Sequence, residues 1–218
     1  MGYRYLTFDC YGTLIDWRTG IERELTSVFG KVSLKGQELL DTYVSAEKVE
    51  ETTYKKYREV LRRSLLSMSD RLGADVSDEA ARKFAASVPR WPAFPDTAPF
   101  LREMGERGYR RYILSNVDND LLSDTIRDHH LEVDDFVTAE QVGSYKPREG
   151  HWLEFLRRTG AKKEEVLHIA QSIYHDVVPT RRLGIDSVWV NRYSEPLPSE
   201  ASPSMISNSL ADLAAAIG

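Results

Sequence analysis

The chain lacks the features that mark secreted, membrane and nucleic-acid-binding proteins. Its 218 residues include one cysteine, Cys10, which excludes an internal disulfide. No apolar run approaches the roughly 18 residues that cross a bilayer, and residues 1–8 lack the charged-then-apolar layout of a signal peptide. The 34 acidic and 29 basic residues are dispersed rather than grouped in blocks. We therefore expect a cytoplasmic protein that binds neither membrane nor nucleic acid.

What the chain does have is enough apolar residues, 41%, for one large domain or a core with an inserted unit. Five short β-prone runs recur along it, at residues 3–8, 112–114, 136–137, 166–169 and 187–190. Helical spacing separates the last four runs, at residues 121–130, 152–159 and 177–183. This alternation predicts right-handed βαβ units. We predict an α/β fold with a doubly wound, Rossmann-like parallel sheet.

Residues 16–90 break the alternation, because they contain no convincing strand. Apolar residues there recur at helical spacing, at Tyr57, Leu61, Leu65, Met68 and Leu72 and again at Leu39, Tyr43 and Ala46. We predict that residues 16–90 form a helical cap domain, inserted into a core domain made of residues 1–15 and 91–218. Residues 195–207, rich in Pro and Ser, are predicted to be a surface loop before a short helix from about residue 208.

Polar side chains directly follow four of the predicted strands. They are Asp9 after the first, Ser115 and Asn116 after the second, Tyr145 and Lys146 after the third, and Gln171, Ser172 and Asp176 after the fourth. Ligands of open parallel sheets bind beyond the carboxyl ends of the strands. Each residue alone could be a helix cap or a solvated side chain. Two carboxylates and a lysine brought to one edge indicate a functional site.

The same segments carry a family resemblance. Residues 8–14 (Phe-Asp-Cys-Tyr-Gly-Thr-Leu) resemble the first motif of the haloacid dehalogenase superfamily, and residues 113–116 (Ile-Leu-Ser-Asn) resemble its second. Residues 145–147 (Tyr-Lys-Pro) resemble the third motif, and residues 170–176 (Ala-Gln-Ser-Ile-Tyr-His-Asp) the fourth. The four motifs occur in the family's order across nearly the whole chain, and residues 16–90 occupy its cap position. The resemblance implies a hydrolase with an aspartate nucleophile, Asp9.

Two positions distinguish branches of this superfamily. Its phosphatases resemble one another in a second Asp two residues after the nucleophile, where this chain has Tyr11, and in a fourth-motif carboxylate where this chain has Gln171. A phenol is a poor acid or base at neutral pH. A Mg²⁺ site would keep Asp9 and Asp176 as its acidic ligands. The resemblance therefore implies the dehalogenase branch, which works on small 2-haloalkanoic acids without a metal or other cofactor.

The resemblance also implies a role for each site residue. Asp9 attacks the carbon that bears the halogen, halide leaves, and water cleaves the resulting aspartyl ester. Lys146 orients Asp9 and keeps it ionised, while Asp176 holds Lys146 or assists the water. The residues implied to contact the substrate are Tyr11, Thr13, Ser115, Asn116 and Ser172.

The chain departs from the dehalogenases at three further places. Val44 stands near the position where they carry a cap arginine, for which Arg18, Arg58 and Arg62 are candidate replacements. Ile173 replaces an Asn and Trp152 a Tyr. Two other functions stay open: a phosphatase or phosphotransferase acting on a phosphorylated metabolite, and a catalytically silent protein that binds a ligand. The sequence also leaves both a monomer and a homodimer open.

Overall fold

One six-stranded sheet organises the protein, as shown by a computed structural model that describes residues 2–30, 33–34 and 36–217. The strands are β1 (Tyr5–Phe8), β2 (Arg110–Ser115), β3 (Asp135–Thr138), β4 (Val166–Ala170), β5 (Asp186–Val190) and β6 (Met205–Ser207). All pair in parallel, in the order β3-β2-β1-β4-β5-β6. The predicted α/β, Rossmann-like fold is confirmed. The strand order reverses direction between β1 and β4, so a binding crevice is expected at their carboxyl ends.

The central strands are mostly apolar because both of their faces are covered. Every residue of β1 and β4 is buried, as is typical of parallel sheets with helices on both faces. Side chains alternate between two hydrophobic clusters: Leu6 and Phe8 belong to one, and Tyr5, which precedes Leu6, belongs to the other. In β2, Ile113 and Leu114 divide in the same way.

Helices account for most of the chain between β1 and β2. They are α1 (Trp17–Phe29), α2 (Gly36–Glu50), α3 (Tyr57–Leu72), α4 (Asp78–Ala85) and α5 (Thr97–Glu106). The described part of residues 16–90 contains no strand of the sheet, in keeping with the predicted helical insertion. The division into a cap domain and a core domain at residues 16 and 90 stays a prediction.

The remaining helices follow the later strands. They are α6 (Asn119–Asp128), α7 (Ala139–Val142), α8 (Gly150–Thr159), α9 (Val178–Leu183) and α10 (Leu210–Ala216), with a π-helical turn at Ile173–Val177. No helix within the described ranges is long and apolar enough to cross a membrane.

The loop prediction for residues 195–207 is wrong at its end. Met205–Ser207 forms β6, an edge strand whose backbone pairs with residues 188–190 of β5. Three residues after a Pro- and Ser-rich stretch carry too little hydrophobic pattern to indicate a strand. The pairing depends on the free edge of β5, which is a tertiary feature.

Contacts from the segments that follow β2 and β3 in the chain position the start of α3 and the loop before it. The Asp118 carboxylate accepts hydrogen bonds from the backbone N–H groups of Tyr57 and Arg58, at 2.8 and 2.9 Å. The Tyr145 hydroxyl donates to the Lys55 carbonyl at 2.7 Å. An anion at a helix N-terminus satisfies free N–H groups and complements the helix dipole. The helical segment is thereby held next to the carboxyl ends of β2 and β3.

Candidate active site

Asp9 stands directly after β1, where its side chain is held at both carboxylate oxygens. Its Oδ1 lies 2.9 Å from Nζ of Lys146, and its Oδ2 accepts a 2.9 Å hydrogen bond from the Thr13 hydroxyl. Its backbone N–H donates to the Ile169 carbonyl, which continues the pairing with β4 beyond the end of β1. The carboxylate is therefore both buried and oriented.

Lys146 is almost fully buried, and its ammonium group has three acceptors. Nζ donates to Asp9 Oδ1 at 2.9 Å, to Asp176 Oδ1 at 2.7 Å and to the Leu114 carbonyl at 2.9 Å. An ammonium group has three protons, so its donor capacity is used. The Asn116 side chain holds the Lys146 backbone, accepting from its N–H at 2.6 Å and donating to its carbonyl at 3.1 Å.

Asp176 is supported from beneath by a histidine of β4. His168 Nε2 lies 2.9 Å from Asp176 Oδ1, and its Nδ1 lies 2.8 Å from the Thr7 hydroxyl. Because an ionised carboxylate only accepts, Nε2 donates to Asp176. Both residues are fully buried. The second oxygen, Asp176 Oδ2, is buried without a partner in the described part of the chain.

The three charges set one another's protonation. Burial raises the pKa of Asp9, and the charge of Asp176 adds to that effect, whereas Lys146 and Thr13 lower it. Burial alone would destabilise the Lys146 ammonium ion, but Asp176 and Asp9 outweigh burial and raise its pKa. Burial opposes ionisation of Asp176 too, yet Lys146 and His168 hold its pKa well below the usual range. Lys146 and Asp176 are therefore an ion pair at neutral pH.

A cavity of about 240 Å³ opens above these groups. Its wall contains Asp9, Tyr11, Trp17, Glu47, Glu51, Tyr57, Trp91, Ser115, Asn116, Lys146, Gln171, Ser172, His175 and Asp176. The cavity combines groups from the carboxyl ends of β1, β2 and β4 with groups from α1, α2 and α3. Its volume suits a ligand of few heavy atoms, since drug-sized pockets span roughly 300–1,000 Å³.

The structure brings four of the five predicted substrate-contacting residues into the cavity wall: Tyr11, Ser115, Asn116 and Ser172. The Ser115 hydroxyl is buried without a partner in the described residues, which leaves its proton free for a ligand. Ser172 Oγ accepts from the His175 backbone N–H at 3.1 Å. Thr13 lies behind Asp9, where it donates to the carboxylate and accepts from the Gln171 backbone N–H at 2.9 Å. Its contact is with the nucleophile.

Tyr11 directs its hydroxyl to the neighbouring helix. Thr125 donates to the Leu121 carbonyl at 2.8 Å, so the phenol of Tyr11 donates to Thr125 Oγ1 across 2.9 Å. Burial raises the pKa of Tyr11 well above its usual value. The position two residues after Asp9 therefore offers neither an ionised base nor a ready acid at neutral pH.

Comparisons with known proteins agree with this arrangement. The family model of haloacid dehalogenase-like hydrolases matches residues 3–178. The chain belongs to the haloacid dehalogenase-like hydrolases. It is 23% identical over 195 residues to haloacetate dehalogenase H-2 of Moraxella sp. (strain B), covering 86% of this chain and 85% of that protein.

Two other matches show how broad this hydrolase family is. Phosphoserine phosphatase of Thermus thermophilus is 29% identical over 131 residues, 58% of this chain and 52% of that enzyme. The crystal structure of L-2-haloacid dehalogenase from Xanthobacter autotrophicus with chloropropionic acid covalently bound superposes with a TM-score of 0.86 at 19% identity, covering 99% of this chain and 98% of that chain. At that identity the superposition establishes a shared fold.

Among the described residues that line the cavity, none is one of the three candidate arginines. Arg18 pairs with Glu195 at 3.0 Å, Arg58 with Asp120 at 2.8 Å, and Arg62 with Glu59 at 2.9 Å. Each guanidinium has a carboxylate partner that the sequence pattern did not reveal. The helical segment instead contributes Glu47, Glu51 and Tyr57 to the cavity. No motif marks these residues. Glu47 lies on the last turn of α2 and Glu51 directly follows the helix, with its backbone N–H donating to the Glu47 carbonyl at 3.0 Å, so the two glutamates share one face.

Three other residues differ from, or extend, the sequence interpretation. His175, to which no role was assigned from the sequence, lines the cavity with Nδ1 3.1 Å from Ser172 Oγ. Burial lowers its pKa to about 4, so it is neutral at neutral pH. Cys10 is a buried free thiol and is not among the described residues that line the cavity. This position is expected, because successive side chains of an extended segment point in opposite directions and Asp9 faces the cavity. Trp152 is fully buried beneath the sheet, its ring 5.3 Å from that of His168.

The donor set fits a divalent cation poorly. Lys146 Nζ occupies the space between the Asp9 and Asp176 carboxylates, and Thr13 takes the other oxygen of Asp9. Gln171 stands in the cavity wall where the phosphatase pattern has a carboxylate. Within the described ranges, no group of three or more His, Cys, Asp or Glu side chains is placed to hold a metal ion. The phosphatase alternative, with Mg²⁺ at Asp9 and Asp176, lacks a third acidic ligand here.

His168 is expected to act as a positioning residue for Asp176 and, through it, for Lys146. His168→Phe removes the donor to Asp176, so we expect kcat to fall about tenfold, the scale of one hydrogen bond to a charged group. His168→Gln keeps an N–H donor and should retain most of the activity. Measurement of kcat and thermal unfolding for both variants checks this. Equal kcat losses in the two variants, or no loss in His168→Phe, would remove His168 from the active-site network.

Proposed function

We propose that this hydrolase cleaves the carbon–halogen bond of small 2-haloalkanoic acids through an ester of Asp9, giving a 2-hydroxy acid and halide. Two features together carry the proposal. Lys146 orients the Asp9 carboxylate, and two residues later the chain has a phenol, Tyr11, whose hydroxyl donates to Thr125. A departing halide needs no proton, whereas a departing alkoxide does. A nucleophile without a neighbouring acid therefore suits halide displacement.

In the first step, an oxygen of Asp9 forms a bond to the carbon that bears the halogen. The carbon–halogen bond breaks, and its electron pair leaves with the halide. Lys146 and Thr13 hold the two carboxylate oxygens at 2.9 Å each, which restricts the directions of attack. The unpartnered Ser115 hydroxyl supplies a donor for the leaving halide or the ester oxygen.

In the second step, water adds to the carbonyl carbon of the ester. The bond between that carbon and the alkyl oxygen breaks, which releases the 2-hydroxy acid and restores the Asp9 carboxylate. Asp176 Oδ2, buried in the wall without a partner among the described residues, is the acceptor that orients this water. One proton of the water passes to the departing alkyl oxygen, which becomes the hydroxyl of the product, and the other passes to solvent, so each turnover releases one proton and one halide.

Three further observations support the proposed substrate class and location. A cavity of about 240 Å³ favours a short-chain substrate, and the Moraxella relative is named a haloacetate dehalogenase. The proposal includes a cytoplasmic location. It is supported by the single cysteine, which is buried as a free thiol.

The test is a substrate panel with two readouts. We expect halide release from 2-chloropropionate that persists in EDTA, because no step of the proposed reaction uses a metal. Phosphate release from a panel of phosphorylated metabolites should stay at background with and without Mg²⁺. Loss of halide release in EDTA with recovery in Mg²⁺, or phosphate release that needs Mg²⁺, would favour the phosphatase alternative. Inactivity in both assays would favour a silent ligand-binding protein.

A further inference from the structure

The cavity has no free cation for a substrate carboxylate. Among the described residues of its wall, Lys146 is the one with a permanently cationic side chain, and its three protons are used by Asp9, Asp176 and Leu114. The wall facing these groups carries Glu47 and Glu51 instead of an arginine. A 2-haloalkanoate must therefore be bound by neutral donors or meet unfavourable charge.

The hydrogen bonds of Glu47 leave one of its two carboxyl oxygens available to a ligand in the cavity. Its Oε1 accepts from two phenols, Tyr43 at 3.0 Å and Tyr57 at 2.9 Å. Its Oε2 makes no hydrogen bond within the described part of the chain, and the side chain lines the cavity. A protonated carboxyl group has one carbonyl oxygen that accepts and one hydroxyl that donates. With the proton on Oε2, Glu47 presents a donor to the cavity while both phenols stay paired.

We propose that Glu47, in its acid form, donates a hydrogen bond from Oε2 to the substrate carboxylate and is the residue that determines substrate specificity from the helical segment. Tyr43 and Tyr57 hold Glu47 in position, and Tyr57 is itself fixed by the contact of its backbone with Asp118. This inference rests on the proposed dehalogenation. It adds the group that binds the part of the substrate that does not react.

The surroundings of Glu47 favour its neutral form. The ionisable groups around Glu47 and Glu51 are Tyr43 and Lys48 on α2, Lys55 and Tyr57 after it, Tyr145, and Asp9, Lys146, His175 and Asp176 on the cavity wall. Burial raises the pKa of Glu47, and the two phenols lower it by a smaller amount. Burial and the charge of Glu47 also raise the pKa of Glu51 to about 8, in spite of Lys55 and Lys48.

The acid form of Glu47 predicts how KM depends on pH. Below the pKa of Glu47 the donor is present and KM for 2-chloropropionate is low. Above that pKa the carboxylate repels the substrate, and KM rises about tenfold per pH unit. Halide-release kinetics of the wild type between about pH 5 and pH 9 measure this rise. A KM that is constant over the whole range would overturn the proposal.

Two substitutions separate binding by Glu47 from a structural role. Glu47→Gln keeps a donor that does not titrate, so its KM should stay near the low-pH value of the wild type and become independent of pH. Glu47→Leu removes the donor, and its KM at low pH should rise about tenfold or more, the scale of a hydrogen bond to a charged group. Glu38→Gln, on an exposed face of the same helix, is the matched control and should keep the wild-type profile.

Binding without turnover distinguishes this proposal from the proposed chemistry. Calorimetric titration measures the Kd of 2-chloropropionate for Asp9→Asn and for Asp9→Asn combined with Glu47→Gln. The Kd of the single variant should depend on pH as the KM of the wild type does, and the Kd of the double variant should depend on pH as the KM of Glu47→Gln does. Tight, Glu47-dependent binding to a wild type that releases no halide would refute the dehalogenation and retain the carboxylate site. Two outcomes would refute the role of Glu47 and leave the dehalogenation standing. In the first, the enzyme releases halide but Glu47→Gln changes neither Kd nor KM at any pH. In the second, Glu47→Gln lowers KM even at low pH.

Discussion

Asp9→Asn is expected to abolish halide release, with kcat at least about a thousandfold below that of the wild type. An amide oxygen is a far weaker nucleophile than a carboxylate, although the two groups are almost the same shape. The amide oxygen can still accept from Lys146 or Thr13, whose contacts with Asp9 are both 2.9 Å. The fold should therefore survive. Halide release and thermal unfolding of the pure variant are the measurements.

The control for this substitution is Asp70→Asn, the same chemical change at an exposed position on α3. It should leave both kcat and the melting temperature unchanged, within the small effects usual for surface positions. Near-wild-type turnover by a folded Asp9→Asn variant would exclude Asp9 as the nucleophile. Slow recovery of activity on storage would indicate deamidation back to Asp, so intact mass accompanies the assay.

Lys146→Met is expected to lower kcat by about a hundredfold or more, the scale of one electrostatic contact in an active site. Methionine keeps most of the aliphatic stem but removes the charge that lowers the pKa of Asp9. The pKa of Asp9 then rises further. Because the carboxylate form is the nucleophile, the acid limb of the kcat profile moves to higher pH. The variant also leaves Asp176 without its ion pair, so the melting temperature should fall.

Lys83→Met is the matched control, since that side chain is 76% exposed and pairs with Glu79 on the surface of α4. It should change neither kcat nor its pH profile. Kinetics across pH and thermal unfolding of both variants decide the matter. Near-normal kcat with an unshifted acid limb in folded Lys146→Met would show that the ion pair is structural and has no part in catalysis.

The sequence predicted the sheet well because buried parallel strands carry a strong local signal. The runs that became β1 and β4 are mostly apolar, each with a single buried polar side chain, Thr7 or His168, and are followed by the polar residues Asp9 and Gln171. Strand β6 carried no such signal, since its three residues are partly exposed and pair with a single neighbour. Its existence depends on the free edge of β5, which no window of the sequence contains.

The site residues likewise divide into those that the sequence predicted and those that it did not. Asp9, Lys146 and Asp176 could be expected together because strand order places their loops at one edge of the sheet, and in the structure Lys146 donates a hydrogen bond to each of the two carboxylates. His168 could not be expected, since a histidine within an apolar strand has the appearance of a core residue. Glu47 and Glu51 were missed because their role depends on how the end of α2 faces the sheet, and local sequence carries no information on that placement.

The measurement that tests the ester mechanism most directly is a single turnover in water enriched in the heavy oxygen isotope, with enzyme in excess over 2-chloropropionate. Water attacks the carbonyl carbon of the ester, so the product hydroxyl oxygen comes from Asp9 and the heavy oxygen enters the Asp9 carboxylate. Mass spectrometry of the peptide that contains Asp9 should show one added heavy oxygen, and the product should contain none. Heavy oxygen in the product after the first turnover, with an unlabelled Asp9 peptide, would show direct attack of water on the carbon and contradict the account.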